Sequence, residues 1–526
     1  MTCTRLSDGP RRLAGSPLTL LLVAAPGLVA LGICTYQLSL PHAFLGMHGS
    51  DDGIYLGPAL RLVHGDLPYR DYAFVHPPGI ALLMAPLGIL GDGRDAMAGG
   101  RIITALVAGL NASLAAVAVR SFGRVAMLVA GLGLAVFPLA VSADHTLTLD
   151  PYLVLFCLLG TIALFRDGEL ADPRRIMVAG ALFGFAGAVK AWALFPAIAA
   201  LCTCVPLWRS AVRPFLSGVL LGFAALSLPF FLAAPGAFVH DVVVAQLNRH
   251  ATGQGFASVS ERLVIMLGLS TPSGVSTKTD LAVILALVVV AFVFAVYFLP
   301  RRSYVRLEWF ILAATAIVVL SMLFLVKEFY EFYSYFVVAF GAMLLGVCFG
   351  RLAEGVRWAA ERSVGRTGRA LAIAESIALP ALVVVAAVLV LQSGTSYSRT
   401  FLSSAYDPQA TIAPHVPKGS CVVFDEVGNL IDSGRLFSSR PGCPALVDAF
   451  GLWLTDNDGI GPNAQVPHSK AFVAKWRSWL GRADYAVLSA PQSSYVPWTP
   501  DLISWFNSNY RLVASGDRAY VYQHIP

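Results

Sequence analysis

Residues 47–78 read MHGSDDGIYLGPALRLVHGDLPYRDYAFVHPP. The stretch is polar and aromatic, yet long apolar runs flank it on both sides. It carries Asp51, Asp52, Asp66 and Asp71 together with His48, His64 and His76, with His42 just ahead. A loop that only joins two membrane helices needs none of this chemistry. The stretch is therefore the candidate site, and the rest of the chain is what holds it at a membrane surface.

Of the 526 residues, 57% are hydrophobic and only 13% are charged. A soluble fold of this size cannot bury that much apolar surface, so the chain reads as a polytopic membrane protein. The net charge of +6 is small for the length and gives no reason for a nucleic-acid partner. Its arginines cluster in short loops, where they act as topology signals. Arg5, Arg11 and Arg12 precede the first apolar run as in a signal peptide, but no clear small-x-small cleavage site precedes a soluble mature region. A retained anchor with a cytoplasmic N-terminus is the expectation.

The first span, about 18–40, then runs outward and leaves the 41–91 loop outside. Gly79–Leu90 is apolar but amounts to about 18 Å of helix, and it contains Pro86. That is too short for a hydrocarbon core of about 30 Å, so it is expected along the outer face. Spans at about 101–119, 125–141 and 151–165 then leave Arg120, Arg124, Arg166, Arg174 and Arg175 inside. Residues 176–208 are basic at both ends and are read as two half-spans turning near Lys190. Further spans fall at about 214–234, 280–299, 308–326, 335–350 and 373–391. The expectation is about eleven crossings: an all-α polytopic membrane domain over 1–392, in the plasma (inner) membrane. Residues 393–526 change to Ser, Pro, Asp and Asn with short alternating runs, and are expected to form a small extracytoplasmic α/β domain. On that side Cys421 and Cys443 are placed to pair.

By residue type alone, Asp51 and Asp52 read two ways. An ionised carboxylate there serves as general base on a sugar hydroxyl; equally, Ser50-Asp51-Asp52 before a helix is ordinary capping chemistry. Residues 64–78 read either as an aromatic-lined cleft or as an interfacial aromatic belt with a rigid turn. Lys190 interrupts an apolar run, where a charge by default marks a ligand or partner; snorkelling is the alternative. Lys327, Tyr330 and Tyr333 form a second polar rim, and Arg249 and Arg262 add positive charge in the 235–279 loop. No P-loop, Rossmann glycine pattern, metal-spaced Cys/His cluster or G-x-S-x-G is present.

Asp51-Asp52, Gly65-Asp-Leu-Pro68-Tyr69 and His76-Pro77-Pro78 resemble the first outer loop of the GT-C superfamily of membrane glycosyltransferases. In particular they are similar to protein O-mannosyltransferases and aminoarabinose transferases. Arg101, Leu149-Asp150 and the glycine-rich run from Gly180 to Lys190 continue the likeness, which covers roughly residues 15–350. Asp52 stands where that family has Glu, and the late motif at Glu331–Tyr335 has neither His nor Pro. The resemblance implies a polyprenyl-phosphate sugar donor, with mannose or arabinose as the sugar. The implied acceptor is an envelope glycan, glycolipid or protein hydroxyl, and transfer proceeds with inversion. It implies Asp51 and Asp52 as catalytic acids, Lys190 with Lys327 or Arg262 on the donor phosphate, and Tyr69, His76, Asp150, Tyr330 and Tyr333 as substrate contacts. No cofactor is assigned; a divalent metal is left open, with no ligands named. The competing classes are a lipid-linked-glycan flippase and a non-enzymatic envelope scaffold. A transporter places charges midway through several spans, whereas here they gather at the outer ends.

Overall fold

The computed structural model describes residues 17–525 apart from 48, 92, 139–142, 144, 250–257, 270–278, 299–304, 364, 458–467 and 517. The basic N-terminal flank, His48, Arg301 and Arg302 thus lie outside the described residues. Each long apolar run satisfies its backbone internally as a helix, as a hydrocarbon solvent demands. In order these are α1 (Pro17–Leu38), α2 (Asp51–Val63), α3 (Gly79–Met84), α4 (Arg94–Ala118), α5 (Arg124–Val136), α6 (Leu149–Leu164) and α7 (Pro173–Val189). There follow α8 (Leu194–Cys204), α9 (Arg213–Ala233), α10 (Thr279–Phe298), α11 (Arg306–Phe324), α12 (Ser334–Arg362) and α13 (Leu379–Leu402). Among the described residues, seven helical runs are long and apolar enough to cross a membrane; α5 and α6 are shorter apolar helices. Every one of the eleven expected spans has its helix.

Glycines set the central packing. Gly180 and Gly184 of α7 face the carbonyls of Phe215 and Val219, while Gly218 and Gly222 of α9 face those of Met177 and Ala181. A Cβ at any of the four would collide with the partner's backbone. These are two G-x-x-x-G faces in mutual contact, the close approach that small residues allow in membranes. The paired numbers rise together, so α7 and α9 run parallel, and α8 must return between them. The expected turn at Lys190 is therefore present: its backbone is extended (φ −151, ψ 128) between the two helices.

The same reasoning fixes the loop side. Gly27 of α1 meets Gly109 of α4, and Cys34 packs with Ala105 and Ala108, so these helices are antiparallel. Had Gly79–Leu90 crossed, they would run parallel. Pro26 against Gly131 and Gln37 Nε2 on Ser398 Oγ set α5 and α13 alongside α1. Thr315 bonded to the Phe340 carbonyl and Arg351 bonded to Glu308 set α11 against α12. The described loops that were expected outside thus open on one face, and Arg120, Arg124, Arg174, Arg175, Arg213 and Arg351 stand at the opposite ends.

The tail carries β1 (Val422–Phe424), β2 (Tyr485–Leu488), β3 (Tyr510–Gly516) and β4 (Ala519–His524) in the order β1-β2-β4-β3, with only β1–β2 parallel. Helices α14 (Val427–Asp432), α15 (Ala449–Asp456) and α16 (Lys470–Leu480) pack on it. Cys421 and Cys443 form a disulfide. The tail does not stand apart from the membrane domain. Tyr55 and Leu56 of α2 share one apolar core with Phe424, Val427, Leu430 and Trp453. Met47 and Tyr406 exchange backbone hydrogen bonds of 2.7 Å, and Arg94 of α4 binds Asp432 at 2.9 Å. Position 392, the expected boundary, falls inside α13.

Candidate active site

Helix α2 begins beneath the tail, and its first turn separates the two aspartates. Asp52 is 2% exposed and fully engaged. Its Oδ2 accepts from Arg101 Nη2 at 2.6 Å and Nε at 3.1 Å, and its Oδ1 accepts from the Leu147 amide at 2.6 Å. Arg101 also donates to the carbonyls of Ala43, Phe44 and Gly46. Asp52, expected among the catalytic acids, is thus the centre of a buried clamp joining α2, α4 and the start of α6. Asp51 has no hydrogen-bond or ion-pair partner among the described residues. Burial, reinforced by Asp52 and partly offset by Lys190, pushes its carboxyl up to about 7. The capping alternative does not hold for Ser50, which makes no side-chain cap on α2.

Across the site, Lys190 Nζ lies 2.9 Å from Asp150 Oδ2 and 3.1 Å from Oδ1. The ammonium is also 3.6 Å from the Trp192 ring centroid and 4.1 Å from that of Tyr333. The local sequence around Lys190 offers no acid; the partner comes from forty positions earlier, where α6 and α7 meet antiparallel. Lys190, Asp150 and Tyr333 are thus brought together as expected residues of one site, and Asp51 lies within electrostatic reach of both charged members.

A second cation completes the rim. Arg249 Nη2 donates to Tyr330 Oη at 3.1 Å and to Glu328 Oε2 at 3.3 Å, and its guanidinium lies 5.0 Å from the Phe450 ring centroid. Its buried Nε has no hydrogen-bond partner among the described residues. The His76 ring packs edge-on to Tyr55 (5.5 Å) and Phe74 (5.7 Å). Burial, with Lys190 and Arg249 nearby, pushes the imidazole down to about 3, so it is neutral at physiological pH. Tyr69 donates to the His76 carbonyl at 2.6 Å, and Asp241 Oδ2 accepts from the Phe74 amide at 3.1 Å. Both bonds hold the loop in place.

Two expected phosphate contacts are placed elsewhere. Arg262 is 3% exposed and donates to the carbonyls of Met322, Leu323, Val326 and Lys327, closing the end of α11. Orphan carbonyls at a helix C-terminus attract such a donor, which leaves Arg262 no free face. Lys327 is exposed on the neighbouring turn. Among the described residues no group of three His, Cys, Asp or Glu side chains stands close enough to hold a metal ion.

The tail brings acids that sequence reasoning missed. Glu426 Oε1 accepts from Ser50 Oγ at 2.9 Å. Asp448 caps α15, accepting from the Gly451 amide at 2.8 Å, and burial pushes it up to about 6. Nothing in their local sequence marks them, because the contact spans almost four hundred positions.

Residues 74–327 match glycosyltransferase family 87. No curated protein matches the chain. Among solved structures, ArnT from Cupriavidus metallidurans bound to undecaprenyl phosphate aligns with a TM-score of 0.58 at 17% identity, covering 97% of this chain and 99% of that one. The apo state of the same protein gives 0.57 at 16% identity, covering 96% and 97%. Archaeal oligosaccharyltransferase AglB from Archaeoglobus fulgidus, in complex with an inhibitory peptide and a dolichol-phosphate, gives 0.42 at 13% identity, covering 90% and 70%. The ArnT likeness extends over the whole chain, tail included, and the fold is of the GT-C type.

Proposed function

We propose that this chain is a membrane glycosyltransferase that moves a sugar from a polyprenyl-phosphate donor to a hydroxyl of an envelope glycan, glycolipid or protein. The loop face and the tail are extracytoplasmic in this reading, which leaves the arginine-rich helix ends inside. The observation that carries it is Asp51. It is the one carboxylate of the α2 turn without a partner among the described residues, and it lies within electrostatic reach of the buried Lys190–Asp150 pair. The family 87 match and the fold shared with ArnT bound to undecaprenyl phosphate support the donor class.

In the step proposed, Asp51 accepts the proton of the acceptor hydroxyl as its oxygen attacks the anomeric carbon. The anomeric carbon–oxygen bond to the phosphate breaks with inversion, and its electron pair stays on the phosphate oxygen. Polyprenyl phosphate leaves. Arg249, through an Nε without a hydrogen-bond partner among the described residues, and Lys190, through its ammonium, stabilise the charge that develops there; fixed, preorganised cations are worth most at that moment. Asp52 positions and does not react. The donor sugar is mannose or arabinose, on the resemblance of the first loop alone.

Membranes containing the protein, given labelled polyprenyl-phosphate mannose or arabinose, test the reading. Labelled acceptor and free polyprenyl phosphate should form in equal amounts. Label that only crosses the membrane, still lipid-linked, would instead mark a transporter.

A further inference from the structure

We infer that Glu426 of the C-terminal domain is a positioning residue for the reaction, acting on Asp51 through Ser50; this rests on the reading of Asp51 as base. Ser50 occupies the N-cap position of α2, where a serine hydroxyl ordinarily accepts from the second or third amide of the helix. Here it makes no such bond. Its Oγ donates instead to Glu426 Oε1 at 2.9 Å, a link between residues 376 positions apart. The hydroxyl that would cap the helix therefore ties it to the tail.

The contact continues for about two turns of α2. Gly53 faces the backbone of Gly428, and a Cβ on Gly428 would strike the Met47 side chain. Gly57 faces Val427 and Val447, 3.0 Å from the Val447 Cγ1. Positions 50, 53 and 57 lie on one face of the helix, as the 3.6-residue period requires. Asp51 is the next residue round from Ser50, and its carboxylate has no hydrogen-bond or ion-pair partner among the described residues. The tail thus fixes the rotation and height of the turn that carries the base, with no hydrogen bond to the base itself among the described residues.

Only the hydrogen-bonding oxygen of Glu426 matters in this arrangement, and glutamine retains one. Full-length Ser50→Ala, Glu426→Ala, Glu426→Gln and the Ser50→Ala/Glu426→Ala double variant would be assayed with the polyprenyl-phosphate sugar donor. Misplacement of a reacting group by about 1 Å lowers turnover on the order of 100-fold. Each alanine variant should lose ~10- to 100-fold in kcat with donor KM nearly unchanged, and the double should be no slower than either single, as for two ends of one contact. Glu426→Gln should turn over near the wild-type rate. Equal loss in Glu426→Gln and Glu426→Ala would overturn the proposal, as would multiplying losses in the double variant or a wild-type Ser50→Ala. Ser50→Ala removes a single oxygen, so it serves even where Glu426→Ala does not fold. Asp51→Asn separates the two readings. If it stays active, the base assignment fails and this inference with it; if it is dead while Ser50→Ala is normal, only this inference fails.

Discussion

Lys190 Nζ sits 2.9 Å from Asp150 Oδ2, with side-chain exposures of 7% and 1%. Each is the other's remedy for burial. Removing one partner of such a pair leaves an uncompensated charge and costs about 3–5 kcal/mol. Lys190→Met should therefore both unfold earlier in detergent and lose donor use. The Asp150→Leu/Lys190→Met double variant should recover much of the stability, because both charges are gone, yet stay inactive. Thermal unfolding read beside transfer rate decides it: full activity in the stabilised double variant would remove the pair from the site.

The pH profile follows from Asp51. The carboxyl is held up at about 7 by burial and Asp52, and it works only when ionised. The rate should fall about tenfold per unit below that value and level off above it. His76, pushed down to about 3, contributes no limb in that range. The stability sign is opposite. The unfolded carboxyl titrates near 3.9, so between there and about 7 the native state holds the extra proton. Its stabilising share is complete below that window and gone above it. At alkaline pH Asp51→Asn should accordingly be at least as stable as wild type, where loss of a cap would cost about 1 kcal/mol. Unfolding scans of the two proteins distinguish these.

The Arg101–Asp52 clamp is structural in this account. Asp52→Asn should lower stability by about 3 kcal/mol, since it strands a buried guanidinium. Its effect on the acid limb should be a shift to lower pH, because Asp52 is the leading charge that raises Asp51. An unchanged limb in Asp52→Asn would argue that the limb belongs to another group.

Much of this was legible in the chain because membranes impose few solutions. The length of Gly79–Leu90 and the arginines at 120, 124, 174 and 175 sufficed to order the helices, and the turn at Lys190 followed from parity alone. Asp51 and His76, both named from the 47–78 stretch, lie within electrostatic reach of Lys190. The partnerships were not legible. Asp52 differs from Asp51 only by one position of helix rotation, which decides that one bonds to Arg101 and the other has no hydrogen-bond partner among the described residues. Arg262 reads as a free cation until the end of α11 is placed beside it. Arg249 sits alone in a long loop, with no periodicity to aim it. Glu426 and Ser50 join across the whole membrane domain, a distance over which local pattern carries no information. The G-x-x-x-G faces at 180–184 and 218–222 were readable signals of the α7–α9 pairing and passed unused.

Those faces yield a direct check. Gly184→Val puts a branched side chain against the Val219 carbonyl, whereas Gly187 has only a side-chain carbon at 3.6 Å. Gly184→Val should abolish folded protein in size-exclusion analysis, and Gly187→Ala should be tolerated. Equal tolerance would contradict the parallel packing that brings Lys190 to the site.

The central claim is that Asp51 is the base of a sugar transfer from lipid phosphate. The most direct measurement is single-turnover transfer by purified wild type and Asp51→Asn at saturating polyprenyl-phosphate sugar, with donor binding measured on the same samples. The account predicts equal donor affinity and a rate lower by at least ~100-fold in Asp51→Asn. Equal rates at equal affinity would contradict it.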